Sequence, residues 1–295
     1  MPAKSPAPKR SAATKSFAAA VPSAPAKSAA PGRSAAPAKS AAPGRSAAPA
    51  KSAAPGRSAA PAKSAAPGRS AAPAGFAAAV PSAPPPSAAI LAAGDFPRHP
   101  LARAALDSAR HLVCCDGAAR ALARRSTRVP DAVVGDFDSL PPSLLRRWPA
   151  AVFHRVDEQE TNDLSKAFRF CLSRRWRDLV ILGASGGRED HFLGNFALLA
   201  DFSALAPRVR MLTDHGLFFV VRAPARFRCG AGRRISLFSL DPAQRLSAEG
   251  LRYPVRDLSL STLWRATLNI ADQDVVTLRP ATPSPVIVYL CHPSA

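Results

Sequence analysis

The chain has 295 residues, with 40 lysines and arginines against 20 aspartates and glutamates, and 31 prolines. It contains no strongly apolar run of about 18 residues or more, so we expect no transmembrane helix and no membrane partner. Its five cysteines include no Cys-x-x-Cys pair, which argues against a disulfide framework and a structural zinc site. We interpret the adjacent Cys114 and Cys115 as small buried residues, and we expect a reducing, cytoplasmic compartment.

The charge is divided unevenly along the chain. Residues 1–89 contain 12 basic and no acidic residues and 17 of the prolines, whereas residues 90–295 contain 28 basic and all 20 acidic residues. Residues 27–74 are four perfect copies of Lys-Ser-Ala-Ala-Pro-Gly-Arg-Ser-Ala-Ala-Pro-Ala. Regular prolines forbid a continuous helix, and a unit without Leu, Ile, Val or aromatic residues cannot bury enough apolar surface to order itself. We therefore predict a disordered tail over residues 1–89.

Three roles for this tail are open. An inert or solubilising linker is the preferred interpretation. Its evenly spaced basic residues could instead make weak contacts with nucleic-acid phosphates, although no aromatic residues are interleaved with them for base stacking. Its richness in Ser, Ala and basic residues, without acids, is also typical of an organellar transit peptide.

From residue 90 onward, short apolar runs alternate with helical patterns. The predicted strands are 90–93, 111–115, 131–135, 152–156 and 179–182, and the predicted helices include 118–125, 161–175 (capped by Thr161) and 190–202. This alternation predicts a mostly parallel α/β sheet. From residue 208, strand-like runs with little helical periodicity predict an antiparallel β domain; these runs are 208–213, 217–222, 234–240, 274–279 and 285–291. We expect domains at 90–207 and 208–295.

Acidic residues follow the predicted strands at their carboxyl ends, where parallel α/β sheets bind ligands. They are Asp116, Asp136, Asp138, Asp163 and Asp190. In an extended chain Asp136 and Asp138 project to the same face, so they could hold one divalent cation together while the residue between them turns into the core. Mg²⁺ takes one or two protein carboxylates and completes its octahedron with water and phosphate oxygens. The alternative interpretation is a turn with solvated aspartates.

Two further features suit a phosphate ligand. The segment 183–188, Gly-Ala-Ser-Gly-Gly-Arg, leads into a predicted helix whose N terminus could bind phosphate, with Arg188 hydrogen-bonded to its oxygens. His191 is either a ligand or a locally packed residue at this helix start. Lys166 is the only lysine among 28 basic residues after residue 89. It forms either an i,i+3 salt bridge with Asp163 or a contact with phosphate.

Taken in order, these motifs resemble the thiamine pyrophosphokinase family. The matching segments are 116–119 (Asp-Gly-Ala-Ala), 135–139 (Gly-Asp-Phe-Asp-Ser), 160–164 with Lys166, 183–191 with Asn195, 250–254 and 263–269. The resemblance covers residues 90–291. It implies an α/β ATP-binding domain, a C-terminal β-sandwich that binds thiamine, and a homodimer with active sites between subunits. The implied reaction is Mg²⁺-dependent transfer of the pyrophosphoryl group of ATP to thiamine.

The resemblance also assigns roles to residues. The implied catalytic residues are Asp136, Asp138, Asp163, Arg188 and Asp190, and the implied metal ligands are Asp116, Asp136, Asp138 and Asp163. Residues implied along ATP are Asp116, Gly117, Lys166, Ser185, Gly186, Gly187, His191 and Asn195. The implied thiamine residues are Trp264, Thr267 and Asn269.

This sequence departs from the family pattern at two positions. Ala118 stands where glycine is usual, so we expect it to adopt a backbone geometry that glycine accepts more easily. Leu268 stands where the family commonly has serine, which concerns the thiamine contacts. Two alternative functions remain open: a different Mg²⁺-dependent phosphoryl or nucleotidyl transferase, and a basic nucleic-acid-binding protein with a degenerate enzyme scaffold.

Overall fold

The structure, a computed structural model, describes residues 85–138 and 140–293. The predicted disordered tail lies outside the described residues except for its last five positions, 85–89, and Ser139 of the acidic motif is also outside them. Ala88 and Ala89 are fully buried in the first strand, so the sheet begins before residue 90.

The first half of the described chain alternates strands and helices, as the sequence predicts. Its elements are β1 (Ala88–Leu91), α1 (Pro100–Ser108), β2 (His111–Cys115), α2 (Asp116–Arg125), β3 (Ala132–Gly135), α3 (Pro142–Leu145), a 3₁₀ turn (Ala150–Val152), β4 (Phe153–Arg155), α4 (Asp163–Ser173), β5 (Leu179–Leu182), α5 (Glu189–Leu205) and β6 (Arg210–Leu212).

The apolar runs form strands because both faces of this sheet are covered. Every residue of β1, β3 and β5 is buried, as are Leu112–Cys115 of β2. Such continuous apolar strands are typical of parallel sheets packed between helices. Helix α4 buries an apolar stripe that includes Leu164, Ala167 and Phe168, but it begins two residues later than predicted. Its cap is Asn162, whose side chain accepts a hydrogen bond from the Ser165 N–H at 2.9 Å, so the prediction of Thr161 as the cap is wrong.

The second half is built from antiparallel strands. They are β7 (Gly216–Val221), β8 (Ala225–Arg228), β9 (Arg234–Ser239), β10 (Arg245–Glu249), β11 (Val255–Ser259), β12 (Ala266–Ile270), β13 (Val275–Pro280) and β14 (Val286–Cys291). The sequence did not predict β8, β10, β11 and β12. Each is only four or five residues long and buries one or two of them, so no apolar run marks it.

One ten-stranded sheet runs through both halves, in the order β12-β9-β14-β7-β6-β5-β1-β2-β3-β4. The run 208–213, assigned from sequence to the antiparallel domain, forms β6, which pairs parallel with β5 and antiparallel with β7. Strand β6 therefore joins the parallel part of the sheet to the antiparallel part. The division into domains at residue 207 stays a prediction, since the sheet continues through this region.

A second sheet, in the order β11-β10-β13-β8, completes the fold. Side chains from both sheets share a second core, which includes Phe219, Ile235 and Val288 of the large sheet and Leu246 and Val276 of the small one. The fold class is therefore confirmed as a parallel α/β part followed by an antiparallel β part. Within residues 85–138 and 140–293, no helix has the length and apolar character needed to cross a membrane.

Candidate active site

Three acidic residues stand at one edge of the parallel sheet. Asp116 begins α2 directly after β2, Asp136 follows β3, and Asp163 begins α4. Strands β2 and β3 pair in parallel, with Cys115 opposite Val134, so their carboxyl ends lie side by side. The topology thus brings together three of the predicted site residues that are far apart in sequence.

Asp116 is the most buried acid of this group, with 5% of its surface exposed. Its carboxylate accepts hydrogen bonds from the Gly117 N–H and, at 3.2 Å, from the Phe137 N–H. Burial raises the pKa of Asp116, and repulsion from Asp163 and Asp136 raises it further despite the two hydrogen bonds. The acids therefore lie close enough to repel one another.

The segment after β3 is a turn, not the extended chain that the sequence argument assumed. Phe137 has a φ of 68°, in the left-handed region, and the Asp138 N–H donates to Asp136 Oδ1 at 3.2 Å. Asp136 is half-buried while Asp138 is exposed. The inference that Asp136 and Asp138 share a face through strand alternation is therefore wrong. Phe137 packs against the core as predicted, edge-on to Phe153.

Asp136 is held as a carboxylate by its surroundings. The Gln159 side chain donates to its Oδ2 atom at 3.2 Å, and this hydrogen bond is the main reason that the pKa of Asp136 is lowered. The Asp138 N–H and the charge of Lys166 lower it as well. Gln159 was missed in the sequence because it lies in a loop without a recognisable pattern.

Lys166 is a buried ammonium group beside these acids. Its side chain is 2% exposed, and its Nζ lies 3.5 Å from Asp163 Oδ1. The predicted i,i+3 salt bridge is thus present. Because its charge also acts on Asp136, Lys166 is a shared counter-charge of the acid group.

The glycine-rich segment follows β5 at the same edge of the sheet. Gly186 has a φ of 77°, and a Cβ there would lie 2.4 Å from Asp95 Cγ, so the position requires glycine on two counts. The Asp95 N–H donates to the Ser185 carbonyl at 2.8 Å, which fastens the end of β1 to this segment. Asp95 was missed as a site residue, although it follows β1 in the same way as the other acids follow their strands.

Asn195 connects the glycine-rich segment to the acid group. Its side-chain Nδ2 donates to the Ala184 carbonyl at 3.1 Å, and its Oδ1 accepts from Asn162 Nδ2 at 3.5 Å. Asn162 is the cap of α4 and precedes Asp163. Asn195, a site residue predicted from the sequence, therefore links the glycine-rich segment to the start of α4.

Arg188 and Asp190 form an exposed ion pair at the start of α5. The guanidinium Nε lies 3.1 Å from Asp190 Oδ1, and its Nη2 contacts the other carboxylate oxygen. The pKa of Asp190 is lowered chiefly by this pairing. Next to the pair, His191 is exposed and its N–H donates to Asp190 Oδ1 at 2.9 Å.

A cavity of about 290 Å³ opens beside the glycine-rich segment. Its walls include Ser185, Gly186, Gly187, Arg188, Phe192, His215, Phe218 and Tyr289. Four of the site residues predicted from the sequence, namely Ser185, Gly186, Gly187 and Arg188, thus line the same cavity. The aromatic side, including His215 and Tyr289, was missed because β7, β14 and the turn before β7 approach it only through the tertiary fold.

The predicted thiamine residues lie far from the acids within one chain. Trp264 is 72% exposed and Thr267 donates to its carbonyl at 2.8 Å, whereas Asn269 is buried. The Asn269 amide bonds the backbone of Tyr253 and Ile270. Strand β12 is seven strand steps from β2 in the sheet, roughly 30 Å at ordinary strand spacing.

The sequence departs from the family pattern at Ala118 and Leu268, and at Ala118 the backbone conformation is unaffected. Ala118 is a buried residue of α2 and is absent from the positive-φ residues, so the expectation of a glycine-like geometry there is wrong. The other, Leu268, has a φ of 59° and is 81% exposed.

Residues 102–211 match the family model described as thiamin pyrophosphokinase, catalytic domain, and residues 216–289 match the model described as thiamin pyrophosphokinase, substrate-binding domain. The chain belongs to the thiamine pyrophosphokinase family. Thiamine pyrophosphokinase 1 of Oryza sativa subsp. japonica is 27% identical over 202 residues, 58% of this chain and 76% of the relative. Thiamin pyrophosphokinase 1 of Caenorhabditis elegans is 30% identical over 123 residues, 39% of this chain and 50% of the relative.

Solved structures of the thiamine pyrophosphokinase family share the fold. Thiamin pyrophosphokinase from Candida albicans aligns with a TM-score of 0.58 at 18% identity, over 69% of this chain and 89% of that chain. The Bacillus subtilis thiamine pyrophosphokinase aligns with a TM-score of 0.59 at 21% identity, over 69% of this chain and 98% of that chain. The matched curated relatives, by contrast, are spanned over only about a third to three quarters of their length.

Membership of the thiamine pyrophosphokinase family implies a magnesium ion. The acid group, formed by Asp116, Asp136 and Asp163, has the carboxylates to hold one. Among the described residues, no three His, Cys, Asp or Glu side chains form a metal-binding group by themselves. Mg²⁺ needs only one or two protein carboxylates, since water and phosphate oxygens supply the rest. Asp116 and Asp136 provide such a pair, and a cation would relieve the repulsion that contributes to the raised pKa of Asp116.

Proposed function

We propose that this chain is an ATP-dependent thiamine pyrophosphokinase that forms thiamine diphosphate and AMP. The observation that carries the proposal is the meeting of Asp116, Asp136, Asp163 and Lys166 at the sheet edge that also bears the glycine-rich segment. Phosphoryl transfers depend chiefly on positioning and on neutralising phosphate charge, and these groups supply both.

Each part of the site has a task in this reaction. The backbone N–H groups around Gly186 and Gly187 would bind ATP phosphates at the start of α5, and Lys166 would add a compact positive charge. Arg188 would exchange its carboxylate partner Asp190 for phosphate oxygens. Mg²⁺, held by Asp116 and Asp136, supplies charge neutralisation when bound.

The proton of the thiamine hydroxyl needs an acceptor. Asp163 and Asp190 are the two carboxylates we consider. Asp163 lies beside Asp116, whose pKa it raises, whereas Asp190 is an exposed residue at the start of α5, so Asp190 is the weaker candidate. We therefore assign this role to Asp163. Asp163→Asn is expected to reduce kcat more than Asp190→Asn does, and equal reductions would contradict the assignment.

The thiamine pocket is proposed to lie between two copies of the chain. Because β12 lies seven strands from β2 in the sheet, Trp264, Thr267 and Asn269 are too far from the acids for one chain to form the whole site. Three exposed apolar side chains near β12, Leu263, Trp264 and Leu268, are suited to contact a ligand or a second copy. A homodimer in the cytoplasm is the assembly we propose.

The test is to incubate the full chain with Mg²⁺, ATP and thiamine and to measure AMP and thiamine diphosphate. Thiamine-dependent formation of both supports the proposal, and Asp136→Asn should abolish it while the fold is retained. AMP formed only with another acceptor would indicate a different transferase. No nucleotide turnover, with tight salt-dependent DNA binding, would indicate the nucleic-acid-binding alternative.

A further inference from the structure

A second cavity, about 600 Å³ in volume, lies away from the acid group. Its lining includes four arginines and one acidic residue: Arg103, Asp107, Arg124, Arg125 and Arg147, together with Ser126 and Thr127. We call it the arginine cavity. Its size is within the range of small-molecule sites in proteins.

The arginine cavity is separate from the site proposed for ATP. Helix α2 begins at Asp116, in the acid group, and ends at Arg125, in the arginine cavity. A helix of ten residues is about 15 Å long, so the two sites lie at opposite ends of α2.

Helix electrostatics explain only part of this cluster. Arg124 and Arg125 occupy the last turn of α2, where positive charges favourably oppose the helix dipole. Arg103 belongs to α1, however, and Arg147 to the segment after α3. Their convergence on the same cavity adds positive charge that the end of α2 does not require.

The positive charge of the arginine cavity is not neutralised by the protein. None of the four arginines has an ion pair with a carboxylate among the described residues, and Asp107 has none either. The lining thus carries a net charge of +3. Guanidinium groups present only hydrogen-bond donors, which match the oxygens of phosphate groups.

The walls of the arginine cavity are braced. The guanidinium carbons of Arg103 and Arg125 lie 5.3 and 5.8 Å from the ring centre of Phe96, a residue that is 5% exposed. Arg128 donates to carbonyls at the end of α1, including that of Asp107 at 3.0 Å, and so ties α1 to the segment after α2. Because these side chains and helices are already fixed in place, less conformational entropy is lost when a ligand binds.

We propose that the arginine cavity binds a small oligophosphate, either inorganic tripolyphosphate or the triphosphate of a nucleotide. Two or more linked phosphates can contact several of the four guanidinium groups at once. This site is additional to the proposed transferase function and does not depend on it.

The test is arginine modification of the full chain by phenylglyoxal, followed residue by residue with mass spectrometry. Saturating tripolyphosphate is expected to slow modification of Arg124 and Arg147 about tenfold, because charge-assisted contacts to phosphate occupy them. Arg256, an exposed arginine on β11, is the matched control and should react at an unchanged rate. Unchanged reaction of Arg124 and Arg147 would overturn the proposal.

A variant pair tests the same site independently. In Arg124→Ala/Arg147→Ala, the tripolyphosphate concentration that protects Arg125 should rise about tenfold or more, whereas Arg256→Ala should leave it unchanged. The same protecting concentration in the double variant would overturn the proposal.

Two further ligands identify the source of the phosphates. Protection by ATP and tripolyphosphate at similar concentrations supports recognition of the phosphate chain alone, and stronger protection by ATP supports a nucleotide. Protection by duplex DNA but not by tripolyphosphate would overturn the assignment to a small ligand.

Discussion

The ammonium group of Lys166 lies 3.5 Å from the carboxylate of Asp163, and it does so on a side chain that is only 2% exposed. Burying an ammonium group is costly unless nearby negative charge compensates for it. Asp163 provides that negative charge, and the positive charge of Lys166 also acts on Asp136, whose pKa it lowers. The pair therefore places a fixed positive charge beside the carboxylates that we propose to handle magnesium and phosphate.

Replacing this lysine should affect catalysis more than stability. In Lys166→Met a side chain of similar length keeps the packing. The carboxylate left without its partner, Asp163, is 41% exposed and can be solvated by water, which limits the stability lost on breaking the pair. We expect kcat/KM to fall about 10²- to 10³-fold, as for loss of a preorganised charge at the transferred group. Steady-state kinetics and thermal unfolding measure the two effects. A large fall in Tm with no further loss of activity per folded molecule would show a structural role instead.

Asp116 should make stability depend on pH. Burial, together with repulsion from Asp163 and Asp136, raises its folded-state pKa, so its stabilising contribution is complete below the unfolded value near 4 and is lost as pH rises through the folded value. Asp116→Asn removes this titration. The free energy of unfolding of the variant, relative to the native chain, should therefore rise between about pH 4 and neutrality.

Urea unfolding across this pH range is the measurement. Asp201→Asn, on an exposed position of α5, controls for removal of one carboxylate from the surface. A relative stability of Asp116→Asn that falls with increasing pH would contradict the described environment of Asp116.

Two neighbouring glycines separate backbone strain from steric contact. Gly186 and Gly187 have φ values of 77° and 72°, so alanine costs about 1–2 kcal/mol at either position. Only at Gly186 would the new Cβ also meet Asp95, at 2.4 Å from its Cγ, whereas nothing lies within 4 Å at Gly187. Gly186→Ala should therefore lower stability and raise the KM for ATP more than Gly187→Ala.

A second substitution identifies the cause of that difference. Asp95→Ala added to Gly186→Ala removes the contacting carboxylate and should recover part of the lost stability in thermal unfolding. Equal effects of the two single glycine variants would show that Asp95 does not restrict the glycine-rich segment.

Complementation between inactive chains tests the shared site. Asp136→Asn removes a proposed metal ligand and Trp264→Ala a proposed thiamine contact, so each homodimer should be inactive. If each site combines the acids of one copy with β12 of the other, one site of a mixed dimer is intact. An equal mixture should then regain about a quarter of native activity after subunit exchange. No recovery, with exchange verified by mass spectrometry, would place both residues in a site within one chain.

The parallel half of the fold could be predicted from sequence because its signals are local. Continuous apolar runs such as Leu179–Leu182 and the helical stripe of α4 each determine an element, and alternation of the two determines the topology. The positions of Asp116, Asp136 and Asp163 followed, since carboxyl ends of parallel strands share one edge.

The local geometry of the acids could not be predicted in the same way. The turn depends on the left-handed backbone conformation of Phe137, which a phenylalanine rarely adopts. In this conformation the Phe137 ring packs edge-on against Phe153. Gln159 and Tyr289 reach their positions only through tertiary contacts. The short strands β8 and β10–β12 bury too few residues to give a periodic signal.

Pyrophosphoryl transfer is tested most directly by incubating the full chain with [γ-³²P]ATP, Mg²⁺ and thiamine and following the label into the products. We expect labelled thiamine diphosphate and unlabelled AMP in equal amounts, and neither product from Asp136→Asn. Label in thiamine monophosphate with release of ADP, or label only in inorganic phosphate, would contradict pyrophosphoryl transfer by this site.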